Sequence, residues 1–242
     1  MGDEFYQLDK RLGSVCTING KSAYGLFNAD LKELIPVAGS IAADFSKALG
    51  GSGLHVASYK INTGGIKAIF YVGGAAKEDC YLNTSNLIAE CQECIIKTDE
   101  DRFEYVAVLT AFDVVETGIE FYNEVTLTFS AVKRLPMVTR RFDKGNGSFK
   151  NIGSIPSGMR VAITPGSALA SLTINGIVIT DMTAGLPFVI DGLVGEVMCN
   201  GINRFLNTDL IEFPKANPGD NEIKVSDTNV VVEVSFYPTF IV

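Results

Sequence analysis

The side chains able to do chemistry are few, and their placement does not suit it. His55 is the only histidine in 242 residues. Any Ser-His-Asp or Cys-His arrangement, and any histidine-bearing zinc site, therefore has a single imidazole to work with. It stands in the alternating run "LHVASYKI", where a packed or surface histidine is the simpler reading. Cys91-x-x-Cys94 has redox spacing, but the surrounding periodicity puts both thiols inside a helix. A thiolate is stabilised at a helix N-terminus, so these two read as small apolar core groups. "GGSGLH" lacks the third glycine of a dinucleotide fingerprint and leads into a strand. The acidic groups Asp99/Glu100/Asp101 and Glu116/Glu120 have no spacing that favours metal ligation or glycoside hydrolysis over solvated loop charge. No catalytic, cofactor-binding or metal-ligating residue is assigned, no cofactor is expected, and the chain does not read as an enzyme.

Composition narrows the remaining classes. Hydrophobic residues make up 47% and charged residues 20%, so the chain can bury a large core. The mean hydropathy is high at +0.23, yet no uncharged apolar run is long enough to span a bilayer. Surplus apolar surface without a membrane segment points to burial between subunits. A net charge of −8 disfavours a nucleic-acid binder, because that affinity comes from Lys and Arg neutralising phosphates. It equally disfavours an anionic membrane surface. The acidic start "MGDEFYQLDKRLG" has no apolar h-region, and Tyr6 stands where a myristoylation motif needs Ser or Thr. Five scattered cysteines make no disulfide framework and fit folding in a reducing cytosol.

The elements that must position any site are mostly strands. "TING" occurs at Thr17–Gly20 and again at Thr173–Gly176. In each, Asn-Gly suits the φ > 0 geometry of a two-residue hairpin loop. The flanking patterns differ, so this is one turn used twice and not an internal repeat. "LHVASYKI" and "GIKAIFYV" read as strands around 62–65. In "LNTSNLIAECQECIIKTDE", Leu87, Ile88, Cys91, Cys94 and Ile95 recur at helical spacing and predict one amphipathic helix over about 84–97. Two long strands follow, with Phe103, Tyr105, Ala107 and Leu109 sharing a face of the first. Val125, Leu127, Phe129 and Ala131 share a face of the second. A stretch with Arg140, Arg141, Lys144 and Lys150 then interrupts the periodicity, and the domain boundary is expected within 140–153, dividing 1–145 from 146–242. The basic patch reads more simply as solvated linker than as a contact for an acidic partner. The remainder is strand and turn, ending in "NVVVEVSFYP" with Val230, Val232, Val234 and Phe236 on one face. The fold class is mainly β: an N-terminal barrel or sandwich with one helix, then a sandwich or jelly roll.

The order of these features resembles the distal tail proteins of long-tailed bacteriophages, often called Dit. The carriers in the first half are "SNLIAECQECI", "FEYVAVL" and "VTLTFSAVKRLP". Those in the second are "SLTINGIVI", "FVIDGLVGEV", "NGINRFLNTDLIEFP" and "NPGDNEIKV". Residues 45–54 depart from the pattern: "FSKALGGSGL" is small and apolar where that family often has a charged loop. The resemblance implies a ring-forming first domain and a galectin-like second domain. It implies a structural virion protein, a hexameric ring at the distal end of the tail tube, as part of a tail tip or baseplate. Its partners would be the tube protein and tail-associated or receptor-binding proteins, with DNA only in transit through the channel and no membrane insertion. Its place would be the virion tail tip, after assembly in the host cytoplasm.

Two other readings stay open, a tail-tube subunit and a carbohydrate-binding adhesion module in the second half. The absence of tryptophan lowers the latter without removing it, since eight tyrosines remain. Extended edges and flexible loops are where rings are stitched. The candidate subunit-interface residues are therefore Leu49, Gly51 and Leu54 in the loop, Phe103 and Tyr105 on the first long strand, and Phe121 and Tyr122 at the start of the second.

Overall fold

The structure, a computed structural model, describes residues 15–47, 54–62, 64–119 and 121–241. It divides into two compact units between Lys133 and Arg134. In the first unit the order is β1 (Cys16–Ile18), β2 (Lys21–Ser22), α1 (Ala23–Phe27), β3 (Ala29–Val37), β4 (Ser40–Lys47), β5 (Leu54–Asn62) and β6 (Gly65–Gly73). Then come α2 (Lys77–Glu90), β7 (Glu93–Thr98), β8 (Glu104–Glu116) and β9 (Tyr122–Arg134). The main sheet runs β2-β1-β7-β8-β9-β6-β3, and β4 and β5 form a separate two-stranded ribbon. The alternation in β9 does what its sequence dictates. Val125, Leu127, Phe129 and Ala131 are buried, together with Ile66, Ala68, Phe70 and Val72 of the neighbouring β6. Helix α2 closes this core with Cys80, Thr84 and Leu87, spaced i, i+4, i+7 along one face.

The helix is not where the periodicity puts it. It begins seven residues earlier than 84 and ends at Glu90, and Cys94–Lys97 belong to β7. Cys94, Ile96 and Thr98 are buried while their neighbours are not, a period of two that the helical count of Cys91, Cys94 and Ile95 obscured. Strand β7 pairs on both sides, Ile96 opposite Ile18 on β1 and opposite Tyr105 on β8, so ladder bonds and the β-branched residues outweigh the helical spacing. The five-residue α1 is too short for periodicity to reveal. Ser22 caps it, its hydroxyl accepting from the Gly25 N–H at 3.1 Å, and Asn28 ends it in the left-handed conformation.

The second unit starts with β10 (Val138–Phe142), β11 (Gly147–Asn151), β12 (Ser157–Pro165), β13 (Leu169–Ile174), β14 (Ile177–Met182), β15 (Phe188–Asp191), β16 (Glu196–Cys199) and β17 (Ile202–Asn203). A 3-10 turn at Phe205–Asn207 leads to β18 (Lys215–Ala216), β19 (Gly219–Ile223) and β20 (Val230–Phe236). The sheet order is β10-β20-β12-β15-β16-β17, and β13–β14 and β11–β19 are ribbons. Apolar residues of the sheet and of both ribbons share one core, which makes a β-sandwich. Val230, Val232, Val234 and Phe236 are all buried in it. Arg140 and Arg141 lie on β10, paired opposite Val234 and Glu233, so the basic stretch is strand and turn of this unit and not a linker ahead of it.

Both "TING" turns form as expected, with φ of 52° and 76° at Asn19 and Gly20, and 45° and 89° at Asn175 and Gly176. Each asparagine also fastens its hairpin to a neighbouring segment. The Asn19 N–H donates to the Ile95 carbonyl and its Oδ1 accepts from the Ile95 N–H, both at 2.9 Å. Its Nδ2 donates to Glu90 Oε1, which holds that carboxyl below its usual range. Asn175 repeats the device, with its N–H on the Lys224 carbonyl, its Oδ1 accepting from the Lys224 N–H and its Nδ2 on the Glu222 carbonyl. Asn19→Ala and Asn175→Ala each strip a partner from a backbone N–H and leave at a left-handed position a residue with no polar side chain to support it. Each is expected to lower unfolding free energy by about 1–3 kcal/mol in urea titration.

Candidate assembly interface

Among the described residues no three metal-ligating side chains converge. His55 lies in β5, and Glu120 lies outside the described residues. Asp101 is held by Lys133 at 3.1 Å. The Cys91-x-x-Cys94 pair is a core feature: Cys91 ends α2 at its C-terminus, the wrong end for a thiolate, and Cys94 points inward from β7. Both are free and buried, as is Cys16. The Cys91 thiol donates to Cys94 and is buried, which together push its titration well above the ordinary thiol range. Burial, with Cys94 nearby, pushes Cys16 from an ordinary 9.0 up to about 12.

The surface that stands out is the far half of β8. This strand has thirteen residues and β7 has six. The β7–β8 ladder runs from Glu104 to Val108, and Leu109 makes one more bond, its N–H donating to the Gln92 carbonyl at 3.0 Å. Among the described residues no strand pairs that edge over 110–116. The side chains there are exposed on both faces: Phe112 is 58% and Val115 52% accessible, with Val114 also open. An unpaired strand edge that is apolar on both faces is a template for another strand. The edge strand β10 of the second unit looks different, because Thr139, Arg140 and Arg141 line it and are exposed. Charge of that kind protects an edge. Over 110–116 the edge of β8 carries the acids Asp113 and Glu116 among exposed apolar side chains.

The residues singled out from sequence do not fall together. Tyr105 is buried in the unit's own core. The half-buried Phe103 sits beneath Lys133, whose Nζ is 3.9 Å from the ring centroid. Phe121 and Tyr122 stand at the end of the β8–β9 hairpin and line a pocket there. Leu49 and Gly51 lie outside the described residues, and Leu54 is the first residue of β5. The long strand expected over 103–112 as an interface candidate ends at Phe112, and the exposed Val114 and Val115 lie beyond it on β8. The available signal was the loss of alternation in "TAFDVVE", where apolar residues stop skipping every second position.

The chain matches no family model and no curated protein sequence. Its fold matches solved structures of phage proteins. The Dit protein of phage SPP1, described as a paradigm of the hub adsorption apparatus in phages infecting Gram-positive hosts, aligns with a TM-score of 0.72. That alignment has 12% identity and covers 94% of this chain and 99% of that one. A chain of the phage P2 baseplate in its activated conformation, solved with Ca and with Sr, aligns at a TM-score of 0.50. The identities are 8% and 9%, over 86% of this chain and 90% of that one. The sequence resemblance to the Dit group is thus matched by a shared fold over nearly the whole chain.

The buried thiols make a checkable case. A folded-state pKa above the unfolded value means stability is fully present below about pH 9 and is lost as pH rises from the ordinary 9.0 through about 12 for Cys16. Thermal melts of the wild type and Cys16→Ala between pH 8 and pH 11 are expected to diverge, the wild type losing more of its melting temperature on the alkaline side.

Proposed function

We propose that this chain is a structural hub protein of a phage tail tip. Six copies form a ring at the distal end of the tail tube, joining the tube to receptor-binding proteins and leaving a channel for DNA. The observation that carries the reading is the fold shared with SPP1 Dit over 94% of the chain. Three features support it physically. The exposed edge of β8 needs covering by another protein segment, and a cyclic arrangement covers it in every copy. The apolar content is high for a chain in which no described helix is long and apolar enough to cross a membrane. The net charge of −8 suits a conduit, because a strongly basic lumen would hold DNA rather than pass it. In the second unit, Leu206 and Ile211 stand essentially fully exposed beside the tilted Phe205–Phe213 ring pair, a surface suited to a neighbouring tail protein.

Light scattering behind size exclusion tests the ring directly. Six copies of 26.0 kDa give 6 × 26.0, or about 156 kDa, and negative-stain images of that species should show a central hole. Phe112→Lys and Val115→Lys change exposed side chains, so they are expected to fold normally yet elute at 26.0 kDa. A wild type that stays at 26.0 kDa at every concentration contradicts the reading.

A further inference from the structure

Asparagine followed by glycine is a reactive pair as well as a turn-former. The Gly nitrogen, once it loses its proton, can attack the Asn side-chain carbonyl carbon, because glycine puts no Cβ in the way. The chain has four such pairs, at Asn19, Asn146, Asn175 and Asn200. Glycine follows in each, so the fold decides which of them reacts. The side chain must be free to turn back on the main chain. In a hairpin the backbone must also leave its left-handed turn, so that the nitrogen faces Cγ.

Three of the four side chains are held. Asn19 ties Oδ1 to the Ile95 N–H and Nδ2 to Glu90, both at 2.9 Å. Asn175 ties Oδ1 to the Lys224 N–H at 2.8 Å and Nδ2 to the Glu222 carbonyl at 2.9 Å. Asn146 has one such bond, its Oδ1 accepting from the Val225 N–H at 2.8 Å. Each of these bonds must break before the side chain can turn, which slows the step. Asn200 is exposed, and among the described residues its side chain makes no hydrogen bond or ion pair.

The backbone at Asn200 is also easily opened. With φ of 49° and 75°, Asn200 and Gly201 form the two-residue turn between β16 and β17. Strand β17 has two residues, both exposed, and is the last in its sheet. It is held by the pairs Met198–Asn203 and Cys199–Ile202, and by the Arg204 N–H on the Val197 carbonyl at 2.9 Å. A short edge of this kind opens at far less than the cost of global unfolding. Around Asn175, by contrast, β13 and β14 have six residues each, and β1 before Asn19 pairs with β7 on its other side. A Cβ on Gly201 would meet nothing within 4 Å, so water reaches the turn.

We infer that Asn200 is a site of spontaneous modification, deamidation through a cyclic imide. The bond from the Gly201 nitrogen to Asn200 Cγ forms and the Cγ–Nδ2 bond breaks. The proton from the Gly201 nitrogen passes through solvent to Nδ2, which leaves as ammonia. Water then adds to either imide carbonyl and opens the ring to aspartate or isoaspartate, with no oxidant and no enzyme. Either product carries a new negative charge. Isoaspartate also lengthens the main chain by one methylene, so the turn no longer fits the Cys199–Ile202 register and β17 comes off the sheet edge.

The test incubates the full chain in mildly alkaline buffer, native and in urea, and follows each Asn-Gly peptide by mass spectrometry. In urea the four pairs are expected to convert at similar rates. In the native chain Asn200 is expected to convert ahead of Asn146, and about tenfold or more faster than Asn19 and Asn175, the factor that about 1.4 kcal/mol in opening cost produces. A native chain in which Asn200 does not lead overturns the assignment. Asn200→Gln closes the ring far more slowly, so it is expected to remove the first acidic species seen on native isoelectric focusing. Persistence of that species in the variant also overturns the assignment.

Discussion

A β-strand has two edges of hydrogen-bonding groups, and each must be paired, protected or covered. Much of this molecule follows from that requirement at β8. Its first five residues lie between β7 and β9 and carry Tyr105 and Ala107 into the core. Its last seven outrun β7, so the same strand that organises the fold inside becomes an unfinished surface outside.

The contrast with the second unit shows that the open edge is not simply what β proteins tolerate. There the edge strand β10 carries two arginines, one of them paired with Asp143 at 2.8 Å, and its apolar residues Val138 and Phe142 are half-buried against the core. The two edges differ in sign and in apolar exposure: β10 carries two exposed arginines, and β8 over 110–116 carries two acids among exposed apolar side chains.

Much of the fold was legible in the sequence, for reasons of period. From Val125 to Ala131 in β9 apolar and polar residues alternate, and in β20 Val230, Val232, Val234 and Phe236 share one face; the structure buries both of those faces. The two Asn-Gly turns were equally clear, since few residue pairs tolerate consecutive left-handed positions. What local pattern did not show was the grip of Asn19 on Ile95 and of Asn175 on Lys224, because that depends on which strand lies alongside. The helix was placed too far along the chain for a related reason. Cys91, Cys94 and Ile95 satisfy a helical count, but β7 has a strand on each side, and two ladders decide the matter over one periodicity. Of the candidate interface residues, Phe121 and Tyr122 line a surface pocket and Tyr105 is used within the core; the exposure from Phe112 to Val115 is signalled in the sequence by the loss of alternation in "TAFDVVE".

The central claim is that the edge of β8 over residues 110–116 is covered by another copy of the chain. Amide hydrogen exchange, read by mass spectrometry on the assembled species and on the Phe112→Lys variant, tests it most directly. Protection across 110–116 that is strong in the assembly and lost in the variant, with β9 unchanged in both, is what this account predicts. Amides of 110–116 that exchange as fast in the assembly as in the variant would contradict it, and would place the contact between copies elsewhere on the chain.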